Sequence, residues 1–335
     1  MVVTKDIAGI FGMNAALFCK KLGWSIIRGG GVKALLELTR EIQRLKRERN
    51  AVILAHNYQL NEVQKVADYI GDSFYLSKVA ANSKQDIIVF CGVLFMAETA
   101  KLLSPGKRVL LPEKEAGCPL ADMITGDGLR MLKSEHPDVP VVCYINSSAE
   151  VKAESDICCT SANAVNIVAS LPGRKVIFVP DENLGDYVAK QVPDKELILW
   201  KGHCVTHAKV TPKDVHQIRE SYPWAQILIH PECNPAVVQL ADFVGSTSEI
   251  IRYAECSQEN TFVIGTEMGV VCTLQDTLPD KQIFLLHPGL VCPNMKKTRI
   301  ESVYQALHNH QYEIHVEPEH ALRARLTLQR MLEVL

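Results

Sequence analysis

One spacing constrains this chain more than any other, because the same set of landmarks recurs three times. His56, Tyr144 and His230 stand 88 and 86 residues apart. Tyr58, Asn146 and Glu232 repeat those steps, as do Asp68, Asp156 and Asp242, and again Ser73, Ser161 and Thr247. Cys118, Cys204 and Cys292 step by 86 and then 88. From first copy to third the interval is always 174, so the middle copy gains two residues early and loses two late. Repetition at a fixed period decides the architecture before any local pattern is read.

Each copy opens on an apolar, β-branched run that ends in polar and aromatic residues: VILAHNYQ at 52–59, VVCYINSS at 141–148 and ILIHPECN at 227–234. A buried parallel strand whose carboxyl end opens into a site has this appearance. A helix-like stretch follows, then a short strand and turn: ADYIGDS, SDICCTS and ADFVGST. Third strands are predicted at 86–90, 175–179 and 261–265, and fourth strands at 108–112, 196–200 and 282–286. Helical patterns lie between them, at 95–103 and 185–191 for example. Alternating strands and helices imply parallel sheets covered on both faces.

The expected fold class is therefore α/β, with three repeated αβα sandwich domains, parallel four-stranded sheets and a pseudo-threefold arrangement. The copies are assigned to 33–120, 121–206 and 207–293. They follow an N-terminal extension at 1–32 and precede a C-terminal tail at 294–335, expected to pack on the first copy. Ligands in such sheets bind beyond the carboxyl ends of the strands. Three copies facing one another would put a shared site at the centre.

Bulk properties exclude several classes. Hydrophobic content is 47%, charged content 22% and net charge −2, so nothing points to nucleic acid or an anionic membrane. No apolar run approaches the roughly 18–20 residues of a membrane span. Eleven cysteines, an odd count, do not suit a secreted disulfide framework. Residues 8–18 are fairly apolar, but Asp6 precedes them, Lys20 and Lys21 follow, and no small-residue cleavage site appears. A cytoplasmic location with reduced thiols is expected. No G-x-G-x-x-G, G-x-x-x-x-G-K-[ST] or G-x-S-x-G occurs, so dinucleotide binding, P-loop chemistry and serine hydrolysis lack support.

Three cysteines in repeat register, one per copy, are expected to hold one 4Fe–4S cluster. Three thiolates would leave one iron open as a Lewis acid. Taken singly, each is as readily a small core residue. His56, Tyr58, Tyr144, Asn146, His230 and Glu232 fall just past the first strands. One carboxylate, two imidazoles and two phenols there could move protons between carbon and oxygen. The bland alternative is polar residues satisfied at strand ends. Glu232 is the first choice for general acid or base, with Tyr58 and His230 assisting. Ser73, Ser161 and the pair Ser246 and Thr247 occupy one equivalent turn and are expected to cap helices that receive anions. A rival metal set is His203, Cys204 and His207, whose Cys-x-x-His spacing suits zinc and hydrolysis. A non-enzymatic iron sensor is the other alternative.

At these residues the chain resembles the quinolinate synthase family. The similar stretches include ERNAVILAHNYQ, FMAETAKLLSP, YINSSAEVKAESD, CCTSANA, WKGHCVTH, HPEC, VGSTS, GTEMG and VCPNMKKT, and the likeness covers about 33–335. The resemblance implies three αβα domains, a 4Fe–4S cluster on Cys118, Cys204 and Cys292, and condensation of iminoaspartate with dihydroxyacetone phosphate to quinolinate, phosphate and water. It implies substrate-binding and catalytic roles for His56, Tyr58, Ser73, Tyr144, Asn146, Ser161, His230, Glu232, Ser246 and Thr247. It also suggests a functional link to an aspartate-oxidising enzyme as the source of iminoaspartate. Some members carry C-x-x-C-x-x-C around the third ligand. This chain has Cys292 alone there, which puts thiol–disulfide control by that motif in doubt.

Overall fold

In the computed structural model, which describes residues 31–334, the triplication is visible as three sheets of one topology. The first contains β1 (Ala51–His56), β2 (Tyr69–Gly71), β3 (Ile87–Cys91) and β4 (Arg108–Leu110). The second contains β5 (Val141–Tyr144), β6 (Ile157–Cys159), β7 (Lys175–Val179) and β8 (Glu196–Leu199). The third contains β9 (Gln226–Ile229), β10 (Phe243–Val244), β11 (Thr261–Gly265) and β12 (Gln282–Leu285). Spatial order within each sheet is second, first, third, fourth, and every pairing is parallel. The expected strands are present, with ends moved by a residue or so. The expected extension lies outside the described residues except for its last two positions, which begin α1 (Gly31–Glu48).

Both faces of each sheet are covered, as continuous apolar runs require. In β1, Ala51, Ile53 and Ala55 face one core with Ile42 and Leu45 of α1 and with Ile300, Val303 and Leu307 of α13 (Ile300–Asn309). Val52 and Leu54 face the other core with Leu76 of α3 (Ser73–Asn82) and with Phe95 and Ala100 of α4 (Leu94–Leu103). Sheet three behaves likewise. Ile227 and Ile229 meet Val215 and Ile218 of α9 (Pro212–Ser221), while Leu228 and Ile264 meet Ile250 of α11 (Thr247–Cys256) and Leu274 of α12 (Met268–Thr277). The two-residue period of a strand sends alternate side chains to opposite cores.

A repeated aspartate ties each first strand to its second. Asp68, Asp156 and Asp242 accept from the backbone N–H of Ile53, Val141 and Ile227 at 2.9, 2.7 and 2.8 Å. Their own N–H groups donate back to the carbonyls of the same three residues at 2.8, 3.0 and 2.9 Å. Only a side chain with an acceptor one carbon out closes this ring, which explains why aspartate stands there three times. A second repeat went unread in the sequence. Lys107, Lys195 and Lys281 each donate to the carbonyl 24 residues earlier, Ser83, Leu171 and Ser257.

The tail divides between two copies. Helix α13 packs on α1 and β3 of the first, while α14 (Pro318–Glu333) lies mainly against α6 (Ala149–Ala153) and β6 of the second and also touches α4. Its Ala324, Leu328 and Met331 are fully buried. No helix among the described residues is long and apolar enough to cross a membrane.

Candidate active site

The carboxyl ends of the three first strands open on one cavity. It is lined by His56, Tyr58, Ser73, Tyr144, Asn146, Ser161, His230, Glu232 and Thr247, and by Cys118, Cys204 and Cys292. Every site residue expected from the sequence except Ser246 is therefore a wall of the same space.

Local chain geometry aims these groups. His56 ends β1, and its Nδ1 accepts the N–H of Tyr58 at 3.1 Å. His230 follows β9, and its Nδ1 accepts the N–H of Glu232 at 3.3 Å. A neutral imidazole that accepts at Nδ1 carries its proton on Nε2, so both rings take the Nε2–H tautomer. His230 Nε2 lies 3.3 Å from Ser161 Oγ. Burial lowers both histidines to about 3, with the Lys296 charge adding to the effect on His56. Both rings are therefore neutral donors at ordinary pH.

Glu232 is the hub. Tyr144 Oη donates to its Oε1 at 2.7 Å and Asn146 Nδ2 to the same oxygen at 3.4 Å. His207 Nδ1 lies 2.8 Å from Oε2. Burial alone would raise this carboxyl, but the His207 and His230 rings and the Tyr144 hydroxyl outweigh it and hold it at about 2. Burial first, and the Glu232 charge second, push the Tyr58 and Tyr144 phenols well above 10. The network runs on from His207 Nε2 to Thr266 Oγ1 at 3.0 Å, then to Tyr58 Oη and Thr247 Oγ1 at 2.9 Å each. His207 also stacks on His230, ring centroids 4.8 Å apart.

The cysteines come from the loops after the fourth strands. The residue two before each cysteine is anchored the same way. Leu94, Glu182 and Met268, the first residues of α4, α8 (Glu182–Gln191) and α12, donate to the carbonyls of Ala116, Gly202 and Leu290, all at 2.8 Å. Burial pushes Cys118 up to about 12, Cys204 well above its usual value, and Cys292 upward. Half-buried thiols of this kind stay protonated until a cation displaces the proton.

Two expectations need correction. The residues expected to cap helices do so in one copy only. Asp72 caps α3, its carboxylate accepting from Tyr75 N–H, so Ser73 is the first helical residue. Asn163 precedes α7 (Ala164–Ser170), and Ser161 sits in the turn before it. Ser246 does cap α11, and its hydroxyl accepts from Glu249 N–H. That task buries it completely, which is why it is no wall of the cavity. Capping by a neighbour leaves Ser73 and Thr247 to line the cavity from the first turns of their helices.

The rival metal set also changes. Cys204, His207 and Glu232 are the donors that converge, their ligand atoms within 4.8 Å of one another, and His203 is not among them. Cys204 and His207 are one 3₁₀-like turn apart, whereas Glu232 arrives from another copy, a proximity that sequence spacing does not reveal. The role of His207 in the carboxylate network was missed for the same reason, as were Thr266, Glu267 and Lys296. Glu267 had a readable signal, since it stands 86 residues after Asp181, in step with the repeat.

Known proteins resemble this chain over most of its length. The family described as Quinolinate synthetase A protein matches residues 40–333. A quinolinate synthase from Caldicellulosiruptor saccharolyticus is 56% identical over 298 residues, covering 89% of this chain and 98% of that protein. One from Alkaliphilus metalliredigens is 58% identical over 294 residues, 88% of this chain and 97% of its own length. One from Geobacter metallireducens is 52% identical over 297 residues, 89% and 97% respectively. On this match, with three parallel sheets converging on one cavity, the chain belongs to the quinolinate synthase family of enzymes.

Proposed function

We propose that the chain condenses iminoaspartate with dihydroxyacetone phosphate to quinolinate, phosphate and water, with a 4Fe–4S cluster held by Cys118, Cys204 and Cys292. The observation that carries the cluster is that one cysteine from each copy lines a single cavity. The donor chemistry fits, because three soft, half-buried thiols suit iron and sulfide better than a hard cation. When bound, such a cluster supplies an open iron able to polarise a hydroxyl or carbonyl oxygen.

The chain's own residues account for proton movement and substrate holding. The condensation removes phosphate and water with no net electron transfer, so it needs acids and bases rather than a redox partner. Glu232, the one carboxylate among Tyr58, Asn146 and Glu232, is the proton carrier, taking protons through the hydroxyl of Tyr144. His56 and His230, neutral and donating at Nε2, hold carbonyl or carboxylate oxygens. Tyr58, at the end of the chain through Thr266 and His207, assists as a donor. Ser73, Ser161 and Thr247 receive the acidic groups of the substrates, two carboxylates and one phosphate, near helix amino ends. Ser246 contributes by capping α11. The reaction is cytoplasmic, and an aspartate-oxidising enzyme supplies the iminoaspartate.

A second reading has one observation in its favour. Cys204, His207 and Glu232 could take a single zinc ion. Anaerobic purification and metal analysis separate the two. The cluster predicts about four iron and four sulfide per chain, a brown protein, and quinolinate formation from the two substrates. Cys118→Ala, Cys204→Ala and Cys292→Ala should each lose iron and turnover, and Cys143→Ala, Cys158→Ala and Cys256→Ala should keep both. One equivalent of zinc with no iron, or full iron in any of the first three variants, sinks the assignment.

A further inference from the structure

The three cysteine loops are anchored alike through their backbone at the position two before each cysteine, but they are not alike at the cysteine itself. Asp181 Oδ2 accepts the backbone N–H of Cys204 at 3.1 Å. Glu267 Oε1 accepts the backbone N–H of Cys292 at 3.1 Å. Asp181 and Glu267 are 86 residues apart, equivalent in the second and third copies, and each is wholly buried. Both also cap the helix that follows them, Asp181 through Leu184 N–H and Glu267 through Gly269 N–H. At the matching position of the first copy stands Val93, which precedes α4 and offers no side-chain acceptor.

Burying a carboxylate is costly unless it is well partnered, so two of them in register call for a reason. A helix cap alone does not supply one. Val93 shows that the position tolerates an apolar side chain, with α4 still formed. Glu267 is further paired with Lys296, whose Nζ lies 3.0 Å away. Asp181 is held by backbone N–H groups alone, those of Leu184, Cys204 and Asn183. Both acids share two features that the first copy lacks, the side-chain helix cap and the bond to a cysteine N–H; since α4 forms without the cap, the cysteine bond is the one left to account for the acids. That bond fixes the backbone from which the thiol projects.

We infer that Asp181 and Glu267 are positioning residues that lock the Cys204 and Cys292 loops in their cavity-facing geometry, and that the Cys118 loop, with Val93 in their place, is the loosest of the three. As a statement about metal binding this rests on the cluster reading above, but the loop geometry can be tested without metal.

The test is cysteine reactivity in the reduced, metal-free full chain, read residue by residue by mass spectrometry after timed alkylation. In Asp181→Val the Cys204 rate should rise about tenfold, the upper factor for one lost hydrogen bond, while Cys118 and Cys292 keep their rates. Glu267→Val should accelerate Cys292 and leave Cys204 unchanged. Asp181→Glu retains both carboxylate oxygens, the arrangement Glu267 uses at the matching position, and should keep the slow Cys204 rate. Asp181→Ser keeps a cap for α8 but cannot also reach Cys204, so it should behave like Asp181→Val and covers the case in which valine fails to fold. An unchanged Cys204 rate in Asp181→Ser, or equal acceleration of all three cysteines, overturns the inference. A parallel measurement on the reconstituted protein follows iron loss to a chelator, which should be faster in Asp181→Ser than in Asp181→Glu. A wild-type chain that takes up no iron would end the cluster reading and leave the alkylation result to stand or fall by itself.

Discussion

The amino ends and carboxyl ends of the same three strands have diverged to opposite degrees. At the amino ends, Asp68, Asp156 and Asp242 make one and the same ring of hydrogen bonds to Ile53, Val141 and Ile227. At the carboxyl ends, His56, Tyr144 and His230 stand in equivalent places, and two residues on come Tyr58, Asn146 and Glu232. Folding asks the same thing of each copy, so the residue that closes a sheet is repeated. The reaction asks something different of each copy, because its substrates have no threefold symmetry, so the residues facing the cavity differ. A lone carboxylate at Glu232, with donors from two directions, is what three identical copies could not provide.

Three changes test how far that division holds. The largest effect is expected from Glu232→Gln. Gln keeps the shape and can still accept from Tyr144, but it carries no proton, so turnover should fall by roughly 100- to 10,000-fold, the range for a lost general acid or base. Iron content and binding of a substrate analogue should persist. Turnover near normal would move the proton carrier elsewhere. Next comes Asp242→Ala at the other end of the same copy. It strands the N–H of Ile227 in a buried strand and should lower stability by about 1–3 kcal/mol, read as a shifted denaturant midpoint with unchanged slope. Turnover of the folded fraction should be unaltered, and a selective loss of turnover would erase the contrast between the two ends. The smallest effect belongs to Ser161→Ala. Losing one neutral hydroxyl partner of His230 should raise KM for at least one substrate by about three- to tenfold, matching ~1 kcal/mol for a hydrogen bond, with little change in melting temperature. A variant that loses stability alone would leave Ser161 a turn residue.

Much of this was legible because period and burial leave direct marks on composition. The apolar run VILAH could be read as a central strand because β1 is buried on both faces along its whole length. The triplication was legible because five landmarks kept one spacing. Caps were misread because Ser73 and Asp72 are both good N-cap residues, and choosing between them takes the backbone angle at which the helix starts. Lys107, Lys195 and Lys281 escaped notice because a lysine looks the same in a sequence whether it is solvated or tied to a carbonyl.

Legible along the chain alone were the three-copy α/β plan, the family, and the list of residues whose chemistry could matter. Those properties depend on periodicity and residue type, which are linear. The tertiary structure decided which of the listed residues touch: that His207 belongs with Glu232 and not with His203, that Ser246 is spent on its helix, and that Asp181 and Glu267 hold two cysteine loops where Val93 holds none. The bonds of His207 to Glu232, of Asp181 to Cys204 and of Glu267 to Cys292 join residues 25, 23 and 25 positions apart. Such contacts depend on how whole sheets are oriented by their packed cores, and no local pattern carries that information.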